Sequence, residues 1–485
     1  MSSLKKNFSY NVIYQILIVI LPLITSPYLS RILGRDGLGS YYYTYSIALY
    51  FMMFAMLGIG NHGVRSIARL RDDKSACSEE FWSIYLFQAI NATIVILCYI
   101  LYLYIFSGYL LYLQIIQGLF VLSAFFDINW FFFGIEKFKL TVTRNIIIRI
   151  ISVILIFTFV KTRDDLPTHI LITGGSHLLT QVVLWKFIGK YVNSPKIKLE
   201  NIISHIKPSL ILFVPVLAVS FYNTMDKIML GSLNTMSEVG LYENTEKIIL
   251  LPSGIIVAFG TVMLPRMSHL FEKDDTKQIM YNIDRSMEFN MFMSNALMFG
   301  IAGVANLFMP LFFGEEFAPT GKLVLYLAPV IVFKAWANVI RNQFLIPIKR
   351  DHIFIISVIA GAVSNLLVNY LLIPTMGALG AILGTVVAEL IVCAIQTINV
   401  AKELNLKRYF SYFIKYFVFG LVMFFTVKLI LLLKYIILNS FLILVLQIIF
   451  GATIYLTLSF FLYDNKAQII ETVKNNIKVI FNKQS

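Results

Sequence analysis

Apolar residues run along this chain in long stretches without two-residue alternation, and polar residues gather in the gaps between them. An α-helix needs about 20 apolar residues to cross the hydrocarbon core of a bilayer, whereas strands of a membrane barrel would alternate. Fourteen such runs are expected, at about 10–33, 38–60, 81–106, 110–134, 144–161, 168–189, 208–231, 240–264, 286–309, 321–347, 353–373, 378–399, 413–433 and 439–462. Lipid offers no partner for free peptide groups, so the fold class expected is an all-α polytopic membrane protein. The first run follows Lys5 and Lys6 and ends at Arg31 rather than at a small-residue cleavage site, so it is expected to be an uncleaved first span.

Composition agrees with the pattern. The 485 residues are 58% apolar and 14% charged, against roughly 45–50% and 25% in soluble domains. A net charge of +14 would suit a nucleic-acid partner, but the cations collect in alternate loops, which is a topological signal and excludes that reading. An even number of spans puts both termini on one side. If that side is the cytoplasm, 28 of the 40 Lys and Arg lie inside, 7 outside and 5 within spans. That bias predicts a cytoplasmic N-terminus and C-terminus. Cys77, Cys98 and Cys393 follow no metal spacing and imply neither a disulfide framework nor a zinc site.

The chain carries an internal echo. From Tyr222 to Lys247 it reads YNTMDKIMLGSLNTMSEVGLYENTEK, and from Arg31 to Tyr41 it reads RILGRDGLGSY. In both, a cation precedes apolar residues and a Gly, and an acid precedes a Gly-x-Tyr. A second echo joins FFDINWFFFGIEKFK (Phe125–Lys139) to FKAWANVIRNQFLIPIKRD (Phe333–Asp351): each places Trp, Asn and a charge before a helix breaker and then cations. Duplicated membrane proteins commonly hold their site between the repeats. The expected domains are an N-terminal six-helix bundle at 1–190, a cytoplasmic linker at 191–207, a C-terminal six-helix bundle at 208–400, two further helices within 401–463 and a basic cytoplasmic tail at 464–485.

Charges inside the spans supply the candidate site. Arg31, Asp226, Lys227, Glu243, Glu246 and Lys247 fall in the outer part, Lys334 and Glu389 near mid-depth, and Asp127, Arg149 and Arg341 in the inner part. A cation facing lipid at the bilayer centre costs about 2.5–3.5 kcal/mol on insertion scales, so these groups should face protein, one another or water. Arg31, Arg149 and Arg341 could instead snorkel to an interface. Lys334 and Glu389 could form an ion pair between helices. Asp226 and Lys227 are adjacent, point about 100° apart and cannot pair on one helix face. His169 and His177 lack acidic or thiol partners and make a poor metal site.

The opening from Tyr10 to Ile47, the segment from Asn223 to Tyr242, the exit WFFFGIEKFK at Trp130–Lys139 and the fourteen-span plan together resemble the multidrug/oligosaccharidyl-lipid/polysaccharide exporter superfamily, and within it the Wzx-type polysaccharide and O-unit flippases. The resemblance implies a V-shaped pair of six-helix bundles around a central cationic lumen. It implies alternating access that moves an undecaprenyl-pyrophosphate-linked oligosaccharide to the outer leaflet of the bacterial cytoplasmic membrane. Arg31 matches an Arg that related lipid II flippases carry beside a Gly ending helix one, and is expected to contact substrate. No enzymatic activity and no cofactor are expected; a proton, sodium ion or the membrane potential would drive transport. Membrane lipid, and the polymerase and chain-length proteins of the pathway, would be partners. The alternatives are a cation-coupled multidrug exporter, which would normally stop at twelve spans, and a membrane polymerase or glycosyltransferase. Such an enzyme would need acid/base groups in larger outer loops than these.

Overall fold

A computed structural model of the chain describes residues 2–106, 108–193, 198–432 and 439–461, with side chains from Leu21 onward except at positions 215, 218, 219, 222 and 223. The expected basic tail at 464–485 and residues 194–197 of the expected linker lie outside the described residues. Those residues are helical throughout, joined by short turns, with no strand among them. In order the helices are α1 (Ser2–Met56), α2 (Ile59–Leu70), α3 (Lys74–Phe106), α4 (Leu111–Phe126), α5 (Asn129–Gly134), α6 (Phe138–Phe159), α7 (Leu166–Ile188), α8 (Leu199–Ser204), α9 (Ile206–Leu233), α10 (Met236–Glu272), α11 (Thr276–Phe313), α12 (Thr320–Leu327), α13 (Pro329–Ile340), α14 (Asp351–Met376), α15 (Ala378–Asn399), α16 (Leu406–Leu431) and α17 (Ser440–Phe461).

The expected apolar runs fall on helix over most of their described length, and eleven segments among the described residues are long and apolar enough to cross a membrane. One of the eleven, Leu21–Leu70, holds the second run and the part of the first from Leu21 onward, on either side of a bend at Gly34. Helix α7 sits where a run was expected but carries more polar residues and is not among the eleven; α9 also sits on an expected run, and its side chains are described only in part. The gaps between the expected runs at 61–80 and 265–285 are themselves largely helix. Helix α3 has 33 residues, which makes it about 50 Å long at 1.5 Å per residue, well beyond a core of about 30 Å. Polar turns that extend a span into water carry no hydropathy signal, so the apolar pattern underestimates these helices.

By packing, the chain divides into two compact units. One comprises Met1–Asn244, Phe312–Phe317 and Val358–Ala388; the other comprises Thr245–Leu311, Ala318–Ser357 and Glu389–Ser485. The first has an aromatic core in which Phe81, Trp130, Phe131 and Phe132 are buried with Leu184. In the second, α16 and α17 are joined to α11 and to each other by polar contacts. Tyr455 Oη donates to the Phe292 carbonyl at 2.7 Å, Tyr416 Oη to Glu288 Oε1 at 3.4 Å, and Gln447 Nε2 to the Val427 carbonyl at 3.0 Å.

Apolar side chains cover much of the outside of the molecule, and polar ones are buried between its helices. Ile94, Leu97, Ile100 and Leu101 of α3 are exposed, whereas Asn290, Asn295, Asn365, Asn369, Gln343 and Gln396 are buried. Hydrocarbon gives apolar side chains no reason to turn inward, and it makes polar contacts between helices the specific ones.

Candidate functional site

The two echoing segments meet inside the first unit. Helix α1 bends at Gly34, whose φ of 66° and ψ of −178° belong to glycine alone. The bend admits the carboxylate of Glu316, which accepts from the Arg35 backbone N–H at 3.3 Å and forms an ion pair with Arg163. A Cβ at position 34 would run into that carboxylate. Five residues on, Gly39 faces the Met236 carbonyl and the Gly240 nitrogen, and Gly240 in turn faces the Arg35 carbonyl. The repeat partners therefore cross backbone to backbone, where only glycine fits. Arg31 lies one turn before the bend, exposed, with its side chain against Gly314.

Asp226 and Lys227 diverge as adjacent helical residues must. Asp226 is 1% exposed. Its Oδ2 accepts from Tyr242 Oη at 2.5 Å and from Thr385 Oγ1 at 2.8 Å, and its Oδ1 from Asn369 Nδ2 at 2.6 Å. Asn365 Oδ1 lies 3.1 Å from the same Asn369 nitrogen. Thr385 Oγ1 is also 3.1 Å from the Ala381 carbonyl, and its single proton can serve only one of the two acceptors. The result is a closed cluster of carboxylate, hydroxyl, amide and carbonyl oxygens on α9, α10, α14 and α15. Lys227 points the other way and pairs with Glu243 at 2.8 Å.

In the second unit, Lys334 on α13 pairs with Glu389 on α15 at 3.0 Å, and Glu389 is almost fully buried. Seven residues on, at Arg341–Leu345, the helix widens into a π turn, a distortion frequent at functional sites. Arg341 opens that turn with its guanidinium 5.0 Å from the Phe354 ring centroid and Nε 3.2 Å from Asn342 Oδ1. Asn338, Asn342 and Gln343 are buried around it. Glu246 and Lys247 on α10 are half-buried.

Asp127 and Arg149 line a single cavity of about 730 Å³ within the first unit, a size typical of ligand sites. Asp127 Oδ1 accepts from the Asn129 backbone N–H at 2.9 Å and from its Nδ2 at 2.7 Å. Asn129 Nδ2 also reaches Gln181 Oε1 at 2.6 Å, and Asn129 Oδ1 accepts from Arg144 at 3.0 Å. Arg144, which hydropathy puts at the inner end of a span, is buried because α6 begins six residues earlier. His177, in the same wall, bonds to Ser123 Oγ at 2.9 Å, and His169 packs on Tyr41 with centroids 4.7 Å apart. Among the described residues no group of three His, Cys, Asp or Glu side chains could hold a metal.

The structure thus gathers Asp127 with Arg149, Lys227 with Glu243, and Lys334 with Glu389, while Asp226 gathers neutral partners. Sequence reasoning missed Asn129, Arg144, Gln181, Asn365, Asn369 and Thr385. A span of about 20 residues can hold one or two uncharged polar residues and still read as apolar. Asn365 and Asn369 could have been found, since a spacing of four puts both on one helix face.

An all-helical membrane chain with a backbone crossing between its echoing segments and with buried carboxylate and ion-pair sites has the features by which membrane carriers hold polar cargo. It belongs to the polysaccharide biosynthesis protein family, whose model matches residues 4–271. It is 22% identical over 400 residues to the "Putative O-antigen transporter" of Escherichia coli (strain K12), covering 81% of this chain and 96% of that one. Over 165 residues it is 26% identical to the "Probable low-salt glycan biosynthesis flippase Agl15" of Haloferax volcanii, covering 34% of this chain and 35% of that one. Its fold is similar to that of the lipid II flippase MurJ in an inward closed conformation, with a TM-score of 0.72 at 18% identity over 93% of this chain and 98% of that one.

Proposed function

We propose that this chain is a flippase that carries a lipid-linked oligosaccharide repeat unit from the inner to the outer leaflet for surface polysaccharide synthesis. The observation that carries the reading is the family match, joined to similarity along 96% of an O-antigen transporter. In its fuller form the carrier lipid is undecaprenyl pyrophosphate, the membrane is the bacterial cytoplasmic membrane and both termini are cytoplasmic. Fourteen spans form two six-helix halves at 1–190 and 208–400 with a pair of helices appended, and the halves rock by alternating access. Arg31, Asp127, Arg149, Lys227, Lys247, Lys334, Arg341 and Glu389 contact the substrate as it passes. The diphosphate suits Arg and Lys donors. Polymerase and chain-length proteins take up the product.

A coupling ion, proton or sodium, would sit at Asp226. Sodium is a hard cation that takes oxygen ligands, and the carboxylate, the Thr385 hydroxyl, the Ala381 carbonyl and the Asn365 amide oxygen lie there. The test is leaflet-resolved labelling of the glycolipid in cells with and without the chain. Its removal should strand the glycolipid on the cytoplasmic side, and unchanged outward exposure would refute the proposal.

A further inference from the structure

At the end of the first unit where the excess of inner cations places the cytoplasm, three helix ends converge: the junction of α2 with α3, the exit of α5, and the end of α7. They line a cavity of about 500 Å³ whose walls carry Arg71, Lys74, Lys137 and Lys190. Its base is apolar, with Phe131 0% and Cys77 4% exposed. Two acids also line it. Glu136 is held by Arg71 in an ion pair, and Asp72 is 99% exposed and 4.0 Å from the same guanidinium. Lys74, Lys137 and Lys190 make no ion pair among the described residues, and Lys137 Nζ lies 5.9 Å from the Tyr191 ring centroid. Among the described residues the cavity therefore holds more positive than negative charge.

This excess is not a general property of such helix ends. The exits of the echoing spans share their backbone, with Glu136 at φ 59° and Lys349 at φ 60°. Another cavity of about 500 Å³, in the second unit and not walled by the Lys349 exit, is lined by α11 and the start of α16 with Asp284, Arg285, Glu288, Glu403 and Arg408. There the cations are matched: Arg408 with Asp284 at 3.1 Å, Arg285 with Glu288 at 3.4 Å, and Glu403 with Arg350 at 2.7 Å. Only the first cavity is left with lysines to spare.

Basic pockets between helix ends on the cytoplasmic side are how membrane proteins take anionic headgroups, and a phosphate meets Lys and Arg through charge-assisted hydrogen bonds. We propose that this cavity binds the phosphate headgroup of an anionic phospholipid of the adjoining leaflet. The bound lipid would be a fixed part of the carrier, separate from whatever it transports. It would bridge α2, α3, α5 and α7 where their own charges repel.

The experiment uses the full chain purified in zwitterionic detergent–lipid micelles. Diphosphatidylglycerol, phosphatidylglycerol and inorganic phosphate are each titrated, with bound lipid read by native mass spectrometry and thermal stability read in parallel. The variant K74Q/K137Q/K190Q is compared with K273Q/K277Q/K402Q, which removes three lysines elsewhere on the same expected side. A surface lysine contributes about fivefold in affinity for anionic lipid, so the cavity variant should bind either anionic lipid on the order of a hundred-fold more weakly. The control should stay within about twofold of wild type. If the triple variant is not monodisperse, K190Q alone, at a position past the end of α7, should lose about fivefold. Equal losses in both triple variants would mean attraction by overall charge and overturn the site. Protection by inorganic phosphate at the lipid's own concentration would assign a soluble phosphate and overturn the lipid.

Discussion

Lys334 and Glu389 are the pair on which a substrate role and a structural role make opposite demands. Breaking a buried pair from one side strands the other charge, at about 3–5 kcal/mol. If the pair only holds α13 to α15, Lys334→Ala should lower the protein level, and Lys334→Ala with Glu389→Ala should restore it together with transport. If Lys334 also contacts substrate, the double variant should regain abundance but not glycan export. Protein level and surface glycan measured together separate the outcomes, and normal export by a normally abundant Lys334→Ala protein would remove any transport role. At Asp226 the expectation concerns coupling. Asp226→Asn keeps the size and most hydrogen bonds of the cluster but loses the charge. Transport should fall at least about tenfold and lose its dependence on the ion gradient, since a buried intramembrane carboxylate is retained for function. A variant that transports with unchanged ion dependence would place coupling elsewhere.

At the scale of elements, the crossing of the repeats rests on Gly39 and Gly240. An added methyl at either would overlap opposing backbone, which cannot yield as a side chain does. Gly39→Ala and Gly240→Ala should each cost about 3 kcal/mol or more, at the upper end for overpacking, and sharply lower folded protein. Gly254→Ala, on α10 with open space around its Cα, should be neutral or gain up to about 1 kcal/mol from helix propensity. Melting of the three purified variants decides this. Equal stability would mean that the crossing is not a close contact.

The same elements show what the sequence carried. The apolar runs located the helices because lipid demands about 20 apolar residues whatever their packing, and the echo around Arg31 and Lys227 located two segments that touch. Helix ends beyond the membrane were lost, as at α2, because a polar helix and a polar loop have the same hydropathy. The pairing of Lys227 with Glu243 was lost because it depends on how α9 meets α10, which local periodicity does not encode. The amide networks of Asn129 and Asn369 were lost because a span of about 20 residues can hold one or two Asn and still read as apolar, and hydropathy does not say which neighbour an amide meets.

For the whole molecule, orientation rests on the inner excess of Lys and Arg. Cys77 lies on the expected inner side but is buried, so its silence toward a thiol reagent would say nothing about topology. Asp72→Cys and Asp164→Cys, both at exposed positions, put the question properly in a background without native cysteines. A membrane-impermeant reagent should label position 164 in intact cells and position 72 only after permeabilisation; the opposite pattern would invert the chain. The central claim is transport of a lipid-linked oligosaccharide between leaflets, and sealed proteoliposomes test it without the rest of the pathway. The glycolipid is placed in the inner leaflet, and its arrival outside is followed with a membrane-impermeant glycosidase. Vesicles that hold the chain should expose the glycolipid faster than protein-free vesicles, and Asp226→Asn vesicles should lag. Equal exposure with and without the chain, in vesicles shown to be sealed and to hold folded protein, would contradict the account.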